Sequence, residues 1–336
     1  MLTGCFLYPA VQSADERAAF KVNKEEHLAP LLALAIKREL GLEPGGAAPA
    51  AADAAAAPKA KKPRRVSPEL LSILATELAC SQDSIRDFEL QLYDTQPAAI
   101  GGASDEFVFA PRLDNLSSCF AALEAICEHA ATGLEEDGDV SLVAFFDHEE
   151  CGSQSAQGAG SPVIKDALER VSEALMMPGT PKEMHKVALS KSFLISSDTA
   201  HAIHPNYANK HESNHQPKMC DGTVIKTNSN QRYATNMLTG FYIRELARQG
   251  GFPIQEFVVR NDCPCGTTIG PIVSAFLGIR AVDVGAPILS MHSIREQLAC
   301  DDMDALYDLC VFFFKEFDQV DSIDINMCSP CSPSNL

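Results

Sequence analysis

"VSLVAFFDHEECGS", residues 140–153, carries an apolar run straight into three acids and a histidine. The run is apolar at consecutive positions, as in a strand covered on both faces of a sheet. Similar short runs recur at "SFLISS" (192–197), "FVVRND" (257–262) and "IRAVDVG" (279–285). Between them lie stretches with helical spacing, "NLSSCFAALEAICEHAATG" ended by Gly133, "MLTGFYIRELARQG" (237–250) and "GPIVSAFLG" (270–278). "IRDFELQLYDT", from residue 85, reads as a further strand with alternating faces. Strands alternating with helices predict an α/β fold with a largely parallel central sheet flanked by helices. In such sheets the chemistry gathers on loops beyond the carboxyl ends of the strands, which is where the acids stand.

The chain has 336 residues, 46% of them hydrophobic, enough for one large domain or two modest ones. Its net charge of −18 repels phosphate backbones and anionic bilayers, so neither nucleic acid nor membrane is an expected partner. No window reaches about 18 consecutive apolar residues, and "MLTGCFLYPA" lacks a basic, then apolar, leader pattern. A cytoplasmic protein is the expectation. Most of the 12 cysteines, Cys119, Cys127, Cys300 and Cys310 among them, fall in apolar segments and read as buried free thiols. "CPC" (263–265) is too tight for a zinc knuckle and "CSPC" (328–331) has no second pair, so neither predicts a metal site.

Near the N-terminus "LAPLLALAIKREL" has helical spacing. It is followed by an Ala/Pro/Lys-rich stretch, about 44–66, with no apolar periodicity, read as a disordered insertion whose "KAKKPRR" is a solvated linker. "SPELLSILATELAC" restarts a helix with Ser67 as N-cap and Pro68 in the first turn.

Four segments bring ionisable groups to strand ends. "FVFAPRLDN" ends in Asp114, "VAFFDHEE" in Glu149 and Glu150, and "FLISSDTAH" in Asp198 and His201, while "LSMHSIRE" places His292. Left unneutralised, these carboxylates at three strand ends oppose folding by several kcal/mol, as an order of magnitude. A pair of divalent cations removes that penalty, and a mixed His/carboxylate set suits zinc, with manganese or cobalt as alternatives. In an extended chain Glu149 and Glu150 point to opposite sides, so one can bind metal while the other serves as general base.

These stretches, together with "FFDHEECGSQSAQGAGS", "SSDTAHAIHPNYANKHESNHQP", "GTVIKTNSNQRYAT" and "VVRNDCPCGTTIGPI", closely resemble the aspartyl aminopeptidase family. The likeness runs from about residue 68 to 316. It implies a zinc-peptidase-like α/β catalytic domain at 85–320, a remnant of a smaller dimerisation domain at 1–84 and a flexible tail at 321–336. It also implies removal of N-terminal Asp or Glu from peptides with two zinc ions, and self-association into a dodecamer. Asp114 falls on the carboxylate that bridges both metals, Glu149 on the general base, Glu150 and His292 on ligands of one metal, and Asp198 on a ligand of the other. His201, Lys226 and Tyr233 match substrate contacts, whereas His204, His211 and His215 read as loop and hydrogen-bonding residues. The family's "HTDSP"-like histidine, a further ligand beside Asp198, has no counterpart here, and a further substrate histidine would fall near Val11. The expectation is an N-terminally truncated member with one firm zinc site. Two readings follow: an incomplete copy of an ordinary zinc aminopeptidase, which is the expectation, and a real short member, weakly active or inactive, acting as a non-catalytic subunit.

Overall fold

A computed structural model describes residues 66–135, 137–181 and 183–323. The predicted helix at 28–40, the insertion up to residue 65, Val11, the CSPC pair and the last 13 residues of the tail lie outside the described residues. The chain forms two compact units divided between Leu92 and Tyr93, where the sequence suggested 84/85.

In the first unit, α1 (Pro68–Glu77) starts as its sequence dictates. Ser67 Oγ accepts from the Leu70 amide at 3.4 Å, and Pro68 fills a position whose N–H would have no helical partner. Leu71 and Ala75 on one face of α1 bury against Ile85, with Leu74 and Phe88 at the edge. The alternating segment after Ile85 forms no ladder among the described residues, and Leu90 and Leu92 are exposed. Alternation alone makes no strand, because the backbone groups of a strand need a neighbour's.

The second unit holds the strands β1 (Ala99–Gly101), β2 (Phe107–Ala110), β3 (Phe193–Ser197), β4 (Ala200–His201), β5 (Thr223–Thr227), β6 (Ile254–Val258), β7 (Arg280–Gly285), β8 (Pro287–Leu289) and β9 (Glu296–Ala299). Its helices are α2 (Leu113–Thr132), α3 (Val163–Leu175), α4 (Met184–Lys191), α5 (Met237–Gly250), α6 (Gly270–Leu277) and α7 (Cys300–Asp321). One sheet runs β1-β2-β9-β8-β4 and the other β3-β7-β5-β6. The α/β class is as expected. Parallel pairing joins β3 to β7, β5 to β6 and β4 to β8; the other ladders are antiparallel, so the sheets are mixed. Helix α5 makes the crossover between β5 and β6 that parallel neighbours require. It opens on a capping box, Asn236 with Thr239, and stops at Gly251, which takes the left-handed conformation at φ 72°.

Helix α7 belongs to two cores. Leu306 and Cys310, four residues apart, face α2 and the sheet containing β8 and β9, packing with Ala121, Ala125, Ile288 and Leu298. The small Ala121 and Ala125 let the two helices approach closely. Leu309 and Val320 on another face join Ile225, Ile243, Leu246, Val282 and Val284. Each such aliphatic side chain contributes about 1.5–3 kcal/mol by burial. Asp321, expected to begin the tail, ends α7 and forms an ion pair with Arg280.

The opening segment differs most from expectation. Residues 140–146 make no ladder among the described residues, and Val140, Leu142 and Phe145 are exposed. Only Phe146 reaches a core, beside Ala159, Ile164 and Val273. The run has the composition of a doubly covered strand but no described strand lies beside it to complete its hydrogen bonds. The cysteines also depart from expectation. Of the nine described, all free, only Cys310 is buried; Cys127 lies on an outward face of α2, and Cys80, Cys151 and Cys220 lie on exposed turns. No helix among the described residues is long and apolar enough to cross a membrane.

Candidate metal centre

Asp114 enters the site from the turn between β2 and α2. Arg112 takes a left-handed φ of 61°, and Asp114 and Asn115 depart from helical angles before α2 becomes regular. Asn115 Nδ2 donates to the Ser197 carbonyl at 2.8 Å, pinning this turn to the end of β3. Glu149 and Glu150 sit on a short 3₁₀ turn, Glu149–Cys151, flanked by left-handed His148 and Gly152. The tandem acids are therefore not in extended chain, and the turn separates them instead. The loop that follows closes on itself: Asp147 N donates to Gln157 O at 3.0 Å and Ser153 N to His148 O at 2.8 Å. A β-carbon at Gly158 would lie 2.3 Å from the Ser153 carbonyl, so this closure needs glycine there. His292, on the loop between β8 and β9, is itself left-handed at φ 63°.

These three segments converge. His292 Nε2 lies 2.8 Å from Asp114 Oδ2 and 3.3 Å from Glu150 Oε1. Ligand atoms of Asp114, Glu150 and His292 all lie within 4.8 Å of one another, the one such group among the described residues. Two carboxylates and an imidazole, with Glu150 and His292 open to solvent, are a donor set that fits a single zinc ion with room for water or substrate. The charge balance points the same way. Burial, the charge of Asp198 and a hydrogen bond with it raise the pKa of Asp114, as crowding by like charge dictates.

Asp198 stands just beyond β3 and answers differently. Burial disfavours its ionised form, but the Lys226 ammonium outweighs that and holds it below the usual carboxylate range. Lys226 Nζ donates to Asp198 Oδ2 at 2.8 Å and to the Thr199 carbonyl at 3.1 Å. The lysine is 1% exposed and its ammonium lies 5.0 Å from the Tyr233 ring centre. His201, on β4, is held below its ordinary pKa, first by desolvation of the charged ring and then by the Lys226 charge. Glu149 is pushed up to about 7 by partial burial and then by the charges of Asp198 and Glu150.

Contacts thus link Glu150, His292, Asp114, Asp198, Lys226 and Tyr233 in one chain, with Glu149 and His201 within its field. Two acids that the sequence reading did not single out support it. Asp283, fully buried on β7, accepts from Ser196 Oγ at 2.7 Å, Thr268 Oγ1 at 2.6 Å and the Ala234 amide at 2.5 Å. That last bond fixes the residue next to Tyr233. Glu296, 1% exposed, accepts from the backbone amides of Asp114 and His292. An acid inside an apolar strand, as in "AVDVG", was the signal available for Asp283.

Residues 11–317 match the family described as aminopeptidase I zinc metalloprotease (M18). The chain belongs to that family. Among M18 relatives, a protein of Ricinus communis named probable aspartyl aminopeptidase is 48% identical over 311 residues, covering 90% of this chain and 63% of the relative. The cryo-EM structure of the Ape4 and Nbr1 complex contains a chain with TM-score 0.78 and 38% identity, covering 91% of this chain and 56% of that one. An mApe1 dodecamer from S. cerevisiae matches with TM-score 0.66 and 31% identity, over 75% of this chain and 56% of the other. The chain therefore spans less than two thirds of the length of each of these relatives.

Proposed function

We propose that this chain acts as a zinc-dependent aminopeptidase releasing N-terminal Asp or Glu from peptides, in the cytoplasm and as a self-associating protein. The observation that carries the reading is the convergence of Asp114, Glu150 and His292 in one ligand group, with Glu149 on the same short turn as Glu150.

Asp114, Glu150 and His292 would hold the ion, and Asp198 would serve a second. A zinc ion supplies Lewis-acid chemistry, polarising a carbonyl and acidifying water. Glu149 takes the proton of the attacking water and returns it to the leaving amine as the C–N bond breaks. Lys226 is the candidate partner for the acidic side chain of the substrate; to meet it, the ammonium must exchange Asp198 for the incoming carboxylate. His201 and Tyr233 border the same space. The names of M18 relatives support the acidic substrate, and the mApe1 dodecamer supports self-association. The unit ending at Leu92 would belong to a dimerisation domain.

A second reading, a non-catalytic subunit with one firm zinc site, is favoured by the engagement of Asp198 with Lys226 and by its absence from the ligand group. Release of N-terminal Asp from a short peptide, with Leu and Ala peptides as controls, separates the two. Glu149→Gln should lower the rate about 10²–10⁴-fold while zinc content is retained. Equal rates in wild type and variant would refute the assigned base. A zinc-loaded chain without activity would favour the subunit.

A further inference from the structure

Glu296 is a fully buried carboxylate with each oxygen given to the backbone of a different candidate ligand. Oε2 accepts from the Asp114 amide at 2.9 Å and Oε1 from the His292 amide at 2.6 Å. The fold accounts for the reach. Glu296 opens β9 opposite Ala110 of β2, so its side chain lies near the turn that leads from β2 to Asp114. It also follows His292 by four residues, closing the loop that carries the imidazole.

We propose that Glu296 is a positioning residue that sets the spacing of Asp114 and His292 and thereby the affinity of the zinc site. Arg112 and His292 hold left-handed backbone angles that side-chain-bearing residues rarely adopt, at φ 61° and 63°. Such conformations persist only where their surroundings over-determine them. A carboxylate can do this for two N–H groups at once, through charge-assisted bonds. A glutamine of the same shape cannot: its oxygen serves one amide, and its NH₂ is turned against the other. Since β9 is held to β2 by backbone bonds, the side chain is not needed to place the strand.

The inference rests on Asp114, Glu150 and His292 forming a zinc site, and the experiment separates the two claims. In the full chain, wild type and Glu296→Gln are compared by zinc competition against a chromophoric chelator, by the visible absorption of the cobalt(II)-loaded protein, and by thermal unfolding without metal. Groups that orient metal ligands typically change affinity 10–100-fold when altered. Glu296→Gln should bind zinc about 10–100-fold more weakly and show an altered cobalt band, with its metal-free midpoint lowered by only a few degrees. A purely structural role would lower the metal-free midpoint and leave affinity and spectrum as in wild type; that result overturns the proposal. Should the glutamine variant fail to fold, Glu296→Asp, which keeps both acceptors on a shorter arm, is judged by the same criteria. Wild type that binds no zinc would overturn the ligand group and this inference with it. Zinc-binding wild type with an unaffected variant would overturn only the role of Glu296.

Discussion

Gly285 ends β7 where that strand passes the residue that joins the site to the buried lysine. A β-carbon added there would lie 1.8 Å from the Asp198 carbonyl oxygen, 2.6 Å from its carbon and 3.0 Å from Thr199 Cα. Ordinary contact begins near 3.4 Å, so Gly285→Ala demands a backbone retreat of roughly 1.6 Å. The chain has little freedom to give it. Asp198 N donates to Val284 O and Ala200 N to Ala286 O, both at 2.9 Å, bracketing the contact on each side. Overpacking costs about 1–3 kcal/mol and a lost ladder bond about 1 kcal/mol. With about 3 kcal/mol in total, and 2–4 °C per kcal/mol for a unit of this size, the thermal midpoint should fall by roughly 6–12 °C. Asp198 would move relative to its 2.8 Å contact with Lys226, so peptide hydrolysis should fall with stability. Calorimetry on metal-free protein keeps ion binding out of the comparison. Gly266→Ala, with nothing within 4 Å of the added carbon, is the control and should match wild type. A midpoint for Gly285→Ala within 1 °C of wild type would show that the strands do not approach as described.

Lys226→Met should destabilise the chain by about 3 kcal/mol in urea unfolding, because Asp198 loses its cation; adding Asp198→Asn should recover much of that loss, and strictly additive losses would deny the pairing. Asp302, at the start of α7, is raised to about 6 by burial despite accepting from the Cys220 and Gly222 amides. Its folded pKa exceeds the unfolded value, so the folded state binds the extra proton; stability is greatest below about pH 4 on this account and falls as pH rises through about 6. Unfolding free energies measured from pH 4 to 7 should decline more steeply in wild type than in Asp302→Asn, since Asp114 and Glu149 are raised in both; parallel profiles would refute it. Zinc analysis after mild dialysis should return about one tight equivalent per chain in wild type and none in His292→Ala, since the ligand group contains three residues and loses one of them.

Helices were legible wherever periodicity and caps agreed. Ser67, Gly133 and Gly278 mark ends that the structure keeps, and α5 buries the apolar face of Tyr242, Ile243 and Leu246, whereas α2 buries the small Ala121 and Ala125 and leaves Leu116, Phe120 and Leu123 exposed. Strands were legible only when a partner existed. "SFLISS" and "IRAVDVG" became β3 and β7 because they pair with each other, whereas 140–146, with equal apolarity, stayed outside any described ladder. A sequence segment states which faces are apolar but not which chain lies alongside, so the antiparallel β5/β7 pairing could not be read either. The candidate site was legible as residue types because Asp114, Glu150 and His292 each end an apolar run. Glu296 was not, since its importance lies in backbone amides, which every residue carries.

Helix α7 supplies a wall to two cores of the second unit, with Leu306 and Cys310 on one and Leu309 and Val320 on the other. During synthesis it follows every other described element of that unit. Roughly 200 residues of that unit are made before Cys300, which at about 5–20 residues per second takes on the order of ten to forty seconds. Through that interval neither sheet can bury the face that α7 will cover. The nascent chain therefore presents two apolar surfaces at once, a target for holding chaperones, and both are covered by the arrival of a single helix.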